Sequence, residues 1–114
     1  MNTISTHVLD TSRGGPAEGV AVTLESVSAD GATRHVGGGV TDGDGRVRSL
    51  LPATATLPAG TYRLTFETGA YFRGRPGESF YPEVKVTFVV RGPSQHYHVP
   101  LLVSPFGYTT YRGS

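Results

Sequence analysis

Residues 96–103 read HYHVPLLV and residues 106–112 read FGYTTYR, with Ser104-Pro105 breaking the chain between them. Both runs look like β-strands, so they form a final strand pair. In the first run Tyr97, Val99 and Leu101 share a face that suits a hydrophobic core. The opposite face carries His96, His98, Pro100 and Leu102. That face is half apolar, so it is expected to be an interface or a pocket rather than a free surface.

The same period of two recurs upstream. Residues 4–10 form a polar-rich strand with His7 and Leu9 on one face. Residues 20–27, VAVTLESV, set Val20, Val22 and Leu24 against Ala21, Thr23 and Glu25. SADGA at 28–32 is a hairpin turn, and residues 33–41 are a weaker strand containing three consecutive glycines. Asp42-Gly43-Asp44-Gly45 is a tight loop leading into Arg46-Val47-Arg48. A turn at Pro58-Ala59-Gly60 precedes YRLTFE, where Tyr62, Leu64 and Phe66 share a face. VKVTFVV at 84–90 alternates through Val84, Val86, Phe88 and Val90, and residues 68–75 hold the one short helix. Seven or eight short strands separated by turn signals predict an all-β sandwich.

Composition bounds the function. A chain of 114 residues is one domain, 1–114, with no room for a two-domain nucleotide-dependent enzyme. It has no cysteine, which excludes disulfides, thiolate ligands and a thiol nucleophile. A net charge of +1 is far short of a nucleic-acid binder. The longest apolar run, Val99 to Val103, is too short for a membrane span. The opening MNTISTHVLD has no basic patch followed by an apolar stretch, so a cytoplasmic setting is expected. Nine of the ten basic residues are Arg, whose planar fork suits clamping a flat anionic ligand. DGDGR resembles the start of a calcium loop but lacks the later ligands and the closing Glu.

The chemistry-bearing residues leave three readings open. His96 and His98 leave one strand face, and His7 sits on another strand. They are hydrogen-bonded strand histidines, or zinc ligands built on His7, His96 and His98, or acid–base groups titrating near ~6.5. Arg46, just after the Gly-rich loop, is either a solvated charge or a donor to a planar, oxygen-rich ligand. The final Tyr111-Arg112-Gly113-Ser114 would ordinarily fray. The aromatic, strand-like FGYTTY before it argues that it is ordered.

Three segments carry a resemblance: STHVLDTSRGGPAEGV at 5–20, FYPEVKVTF at 80–88 and HYHVPLLVSPFGYTTYRGS at 96–114. Together they resemble the transthyretin-like 5-hydroxyisourate hydrolase family, and YRGS is its most specific mark. Transthyretin itself shares the SP-x-x-Y-x-T segment but lacks the histidine pattern and the YRGS end. The resemblance implies a prealbumin-like β-sandwich, a homotetramer, active sites in a channel between dimers, and no cofactor or metal. It implies catalytic roles for His7, Arg46, His98 and Ser114. It also implies substrate binding by His7, Arg46, Tyr111, Arg112 and Gly113; His96 is not carried over. The implied reaction is water attack on the C6 amide carbonyl of 5-hydroxyisourate. It opens the N1–C6 bond and gives the ureido-imidazoline carboxylate OHCU. One or both histidines would deprotonate the water while Arg46 holds the anion. Tyr111 would pack on the flat ring, and the Ser114 carboxylate would orient a histidine or Arg112. The alternatives are a ligand carrier without turnover and a histidine-ligated zinc hydrolase.

Overall fold

The computed structural model describes residues 2–53, 55, 57–92 and 94–114. The strands, in chain order, are β1 (Thr3–Asp10), β2 (Gly15–Pro16), β3 (Ala21–Val27), β4 (Thr33–Val40), β5 (Arg46–Val47), β6 (Gly60–Phe66), β7 (Val84–Val90), β8 (His96–Ser104) and β9 (Gly107–Thr110). Helix α1 (Thr68–Arg73) lies between β6 and β7, inside the predicted 68–75 window. Of the nine strands among the described residues, seven are four residues or longer, and β2 and β5 are two-residue pairings. This matches the expected all-β sandwich with one short helix.

Two sheets face each other. One runs β2-β1-β8-β9, with β5 also pairing β1, and the other runs β4-β3-β6-β7. The predicted inward faces meet between them. Val20, Val22 and Leu24 pack with Tyr62, Leu64 and Phe66, and with Tyr97, Val99, Leu101 and Val103 from the other sheet. Each fully buried side chain of this kind contributes roughly 1.5–3 kcal/mol. The turn at 28–32 is held by Asp30, whose carboxylate accepts from Ser28 Oγ and the Ala32 N–H.

Two pairings position the site, and neither is visible in local sequence. β1 and β8 lie parallel, although they come from opposite ends of the chain, with Thr3 beside His96 and Ser5 beside His98. β5 is antiparallel to β1 and sets Arg46 directly opposite His7. Residues directly opposite on neighbouring strands project from the same face.

Candidate active site

Arg46 reaches His7 because the loop before it is pinned. The Asp42 carboxylate accepts the N–H groups of Asp44 and Arg46 at 2.9 and 3.0 Å. These bonds, that from Arg46 first, hold Asp42 below the usual carboxylate range. Its role in the turn explains the partial calcium-loop look of DGDGR. Gly45 takes φ 77°, and a side chain there would strike the Val8 carbonyl oxygen. The Gly45 carbonyl accepts from the Val8 N–H at 2.7 Å, which ties the loop to β1. The Asp44 carbonyl faces His7 Nε2 at 2.9 Å. A carbonyl only accepts, so His7 carries a proton on Nε2.

On the other side of β1, Ser5 links two imidazoles. Its Oγ lies 2.8 Å from His96 Nε2 and 2.8 Å from His98 Nδ1. Thr3 Oγ1 lies 2.6 Å from His96 Nδ1. Burial, and then the neighbouring Arg46, His7 and His96, disfavour the His98 imidazolium, so His98 titrates below the ordinary imidazole value. A neutral His98 near neutral pH follows.

The chain end folds back over this histidine. The Gly113 N–H donates to the His98 carbonyl at 2.8 Å. A Cβ on Gly113 would stand 2.6 Å from His98 Cδ2 and 3.1 Å from Pro100 Cγ. Glycine is therefore required by close approach. Part of the face expected to be an interface or a pocket is thus covered within the chain itself: Pro100 is buried, and Leu102 beside it stays half-buried. Ser5, Thr6, Arg46, Arg48, His96, His98 and Ser114 line a recess of about 270 Å³. Its wall offers guanidinium, imidazole and hydroxyl donors, a set suited to a small, flat, oxygen-rich anion.

The sequence profile of the HIUase/Transthyretin family matches residues 4–113. The chain belongs to this family. A Salmonella dublin 5-hydroxyisourate hydrolase is 47% identical over 113 residues, covering 99% of this chain and 82% of that protein. The solved Klebsiella pneumoniae 5-hydroxyisourate hydrolase superposes with a TM-score of 0.83 at 43% identity, covering 98% of this chain and 99% of that one. Sea bream transthyretin, solved with thyroxine, superposes with a TM-score of 0.88 at 34% identity, covering 96% and 93%. A hydrolase and a transthyretin thus both superpose on this backbone, so the fold alone does not choose between them.

Not every candidate lines that recess. Tyr111 and Arg112 point elsewhere, into an apolar groove lined also by Val86, Phe88, Val89, Tyr97, Val99 and Thr110. Arg112 donates to Gln95 Oε1 at 2.8 Å and stacks 4.7 Å over the Tyr97 ring. Of the two partners expected for the Ser114 carboxylate, a histidine or Arg112, Arg112 is instead engaged by Gln95 and Tyr97. Among the described residues, no group of three histidine or carboxylate side chains, His7, His96 and His98 included, has metal-holding geometry.

Reading the sequence as a member of the HIUase/Transthyretin family left out Ser5, Thr6 and Arg48, and set His96 aside. Ser5 had a signal, because it alternates with His7 in STHVLD and shares its outward face. Its importance comes from lying beside β8, which no local pattern reports.

Proposed function

We propose that this chain is a 5-hydroxyisourate hydrolase acting in urate degradation, and that His7, Arg46, His98 and Ser114 form its working set. One observation carries the reading: Arg46, His98 and Ser114 converge on one polar recess, with His7 paired opposite Arg46. A carrier needs only a complementary cavity. A neutral imidazole and a guanidinium lining one recess serve a proton transfer and a developing oxyanion.

In this reading Arg46 holds the flat anionic substrate and stabilises the oxyanion that forms as water attacks the C6 carbonyl. A histidine takes a proton from the water, and the departing N1 gains one as the N1–C6 bond opens. No covalent intermediate is required, since the cyclic acylurea is already activated. Ser114 lies in the recess wall and orients the water or the substrate. Tyr111 and Arg112 lie outside their own chain's recess, so their part in substrate binding requires a neighbouring copy of the chain.

The same reading includes a homotetramer and a cytoplasmic setting. The tetramer is supported by the unpaired edges of β7 and β9 and by exposed aromatics at Phe80 and Phe106, 70% and 67% accessible. Mixing freshly made 5-hydroxyisourate with the protein and following the loss of its absorbance tests the activity. Binding without turnover would establish the carrier instead. Light scattering that returned a fully active species of 12.1 kDa would overturn the tetramer, and cell fractionation tests the location.

A further inference from the structure

Behind His98 runs an unbroken series of short polar contacts. Thr3 Oγ1 meets His96 Nδ1 at 2.6 Å, His96 Nε2 meets Ser5 Oγ at 2.8 Å, and Ser5 Oγ meets His98 Nδ1 at 2.8 Å. Ser5 is 8% exposed, whereas His96 is exposed at the far end. Two proton arrangements of the neutral imidazoles run all three contacts in a single direction. In one, His98 Nδ1–H donates to Ser5, the Ser5 hydroxyl donates to His96 Nε2, and His96 Nδ1–H donates to Thr3. His98 Nε2 is then a free base. In the other, every donor reverses, and His98 Nε2 carries a proton to give away.

We propose that Ser5 and His96 form a hydroxyl–imidazole relay that switches His98 between its two neutral tautomers during turnover. This deepens the proposed hydrolase reading and rests on it. The attacking water gives a proton to His98 Nε2, while the Nδ1 proton moves to Ser5, the Ser5 proton to His96 Nε2, and the His96 Nδ1 proton to the Thr3 oxygen, which releases its own proton to a solvent water and takes one back when the shift reverses. When the shift runs back, Nε2 returns its proton to the departing ring nitrogen as the C–N bond breaks. The water proton is thus delivered to nitrogen, and His98 passes through no full imidazolium. That matters here, because the positive Arg46 and the imidazoles of His7 and His96 all face His98. Ser5 and His96 are positioning residues: they act through His98 rather than on the substrate.

The test pairs kinetics with nitrogen-15 spectra of the imidazoles. Ser5→Ala is expected to lower kcat by about 10-fold to 100-fold. KM should change by less than about threefold, as for a group acting only after substrate binds. Ser5→Thr, which restores a hydroxyl, is expected to recover most of the loss. His96→Gln should fall between Ser5→Ala and the unaltered protein. In the free protein, Ser5→Ala should change the tautomer ratio of His96 and His98 together. Unchanged ratios overturn the relay, even if kcat falls, because they leave Ser5 a packing role. Unchanged kcat in an active enzyme overturns it equally. If the unaltered protein does not turn over 5-hydroxyisourate, the proposed activity fails, and the spectra alone decide whether the two histidines are coupled.

Discussion

Strand β1 carries a polar cluster on each face, and the two are built to opposite rules. Inward, Asp10 is 1% exposed, and both its carboxylate oxygens are used. One accepts from the Ser12 N–H at 3.0 Å and Ser12 Oγ at 2.5 Å, and the other from the Tyr71 hydroxyl at 2.7 Å. Arg75 stacks 3.8 Å over the Tyr71 ring, so the cluster latches α1 to the sheet. Outward, Ser5 and His7 meet His96, His98 and Arg46. Among the described residues no hydrogen bond occupies His98 Nε2, and no hydrogen bond or salt bridge occupies the Arg46 guanidinium. A satisfied buried network makes structure. Donors and lone pairs held in place without partners are what a reaction can use.

The sharpest way to break this contrast is to cut the outward cluster. His98→Asn is expected to lower turnover by about 10²-fold or more, the usual worth of a positioned acid–base group. The melting temperature should barely move, since no core contact is lost. A variant that melts much earlier would place His98 in the same structural class as Asp10.

Gly113→Ala tests the same face without touching a titrating group. The added methyl would press on His98 Cδ2 at 2.6 Å and push the ring or the tail aside. A displacement of about 1 Å in a positioning group costs up to ~10²-fold. Circular dichroism should show an intact sandwich. Full activity would mean that the tail does not control His98.

Asp10→Asn should do the reverse. It keeps the shape but weakens charge-assisted bonds, at a cost of about 1–3 kcal/mol in stability. Activity per folded molecule should stay near normal at neutral pH. Burial alone would raise the Asp10 pKa, but the bonds from Ser12 and Tyr71 outweigh it and lower it overall. The stabilisation from Asp10 is therefore present above the ordinary carboxylate pKa and fades as pH falls through the lowered one. Denaturant melts of both proteins from neutral to acid pH should converge at the acid end. A constant gap would contradict the latch.

The two clusters also differ in how far they could be read beforehand. The sandwich was legible because the period of two in VAVTLESV, YRLTFE and VKVTFVV marks the buried side chains directly. His98 and His7 stood out as histidines beside apolar residues on outward faces. The Ser5 link did not, because it needs the parallel pairing of β1 with β8, and its hydrogen bonds join residues more than 90 positions apart. Asp10 to Tyr71 is hidden for the same reason, at a separation of 61. The face of Pro100 was expected to be an interface or a pocket, but what covers it was not legible, because alternation reports only which way a side chain points. It does not report that the chain's own tail will cover it.

The smallest expected effect separates charge from shape at Arg46. In the free enzyme, the acid limb of the pH profile of kcat/KM reports the proton on the working histidine. Burial comes first among the causes that lower the His98 pKa, and the Arg46 charge comes next. The limb should therefore lie below the ordinary imidazole value of ~6.5, with activity kept as pH falls until His98 gains its proton. Arg46→Met removes the charge and leaves the burial, so the limb should move up but stop short of the ordinary value. Arg46→Lys keeps the charge, so the limb should stay near its original place. Both variants should still lose catalytic efficiency, because a thioether has no donor and an ammonium cannot form the two parallel bonds of a guanidinium. Following the His98 ring proton by NMR against pH gives the same shift without depending on turnover. If the Met variant titrates where the unaltered protein does, Arg46 does not set the charge state of His98. Its contribution to the outward cluster would then reduce to holding the substrate.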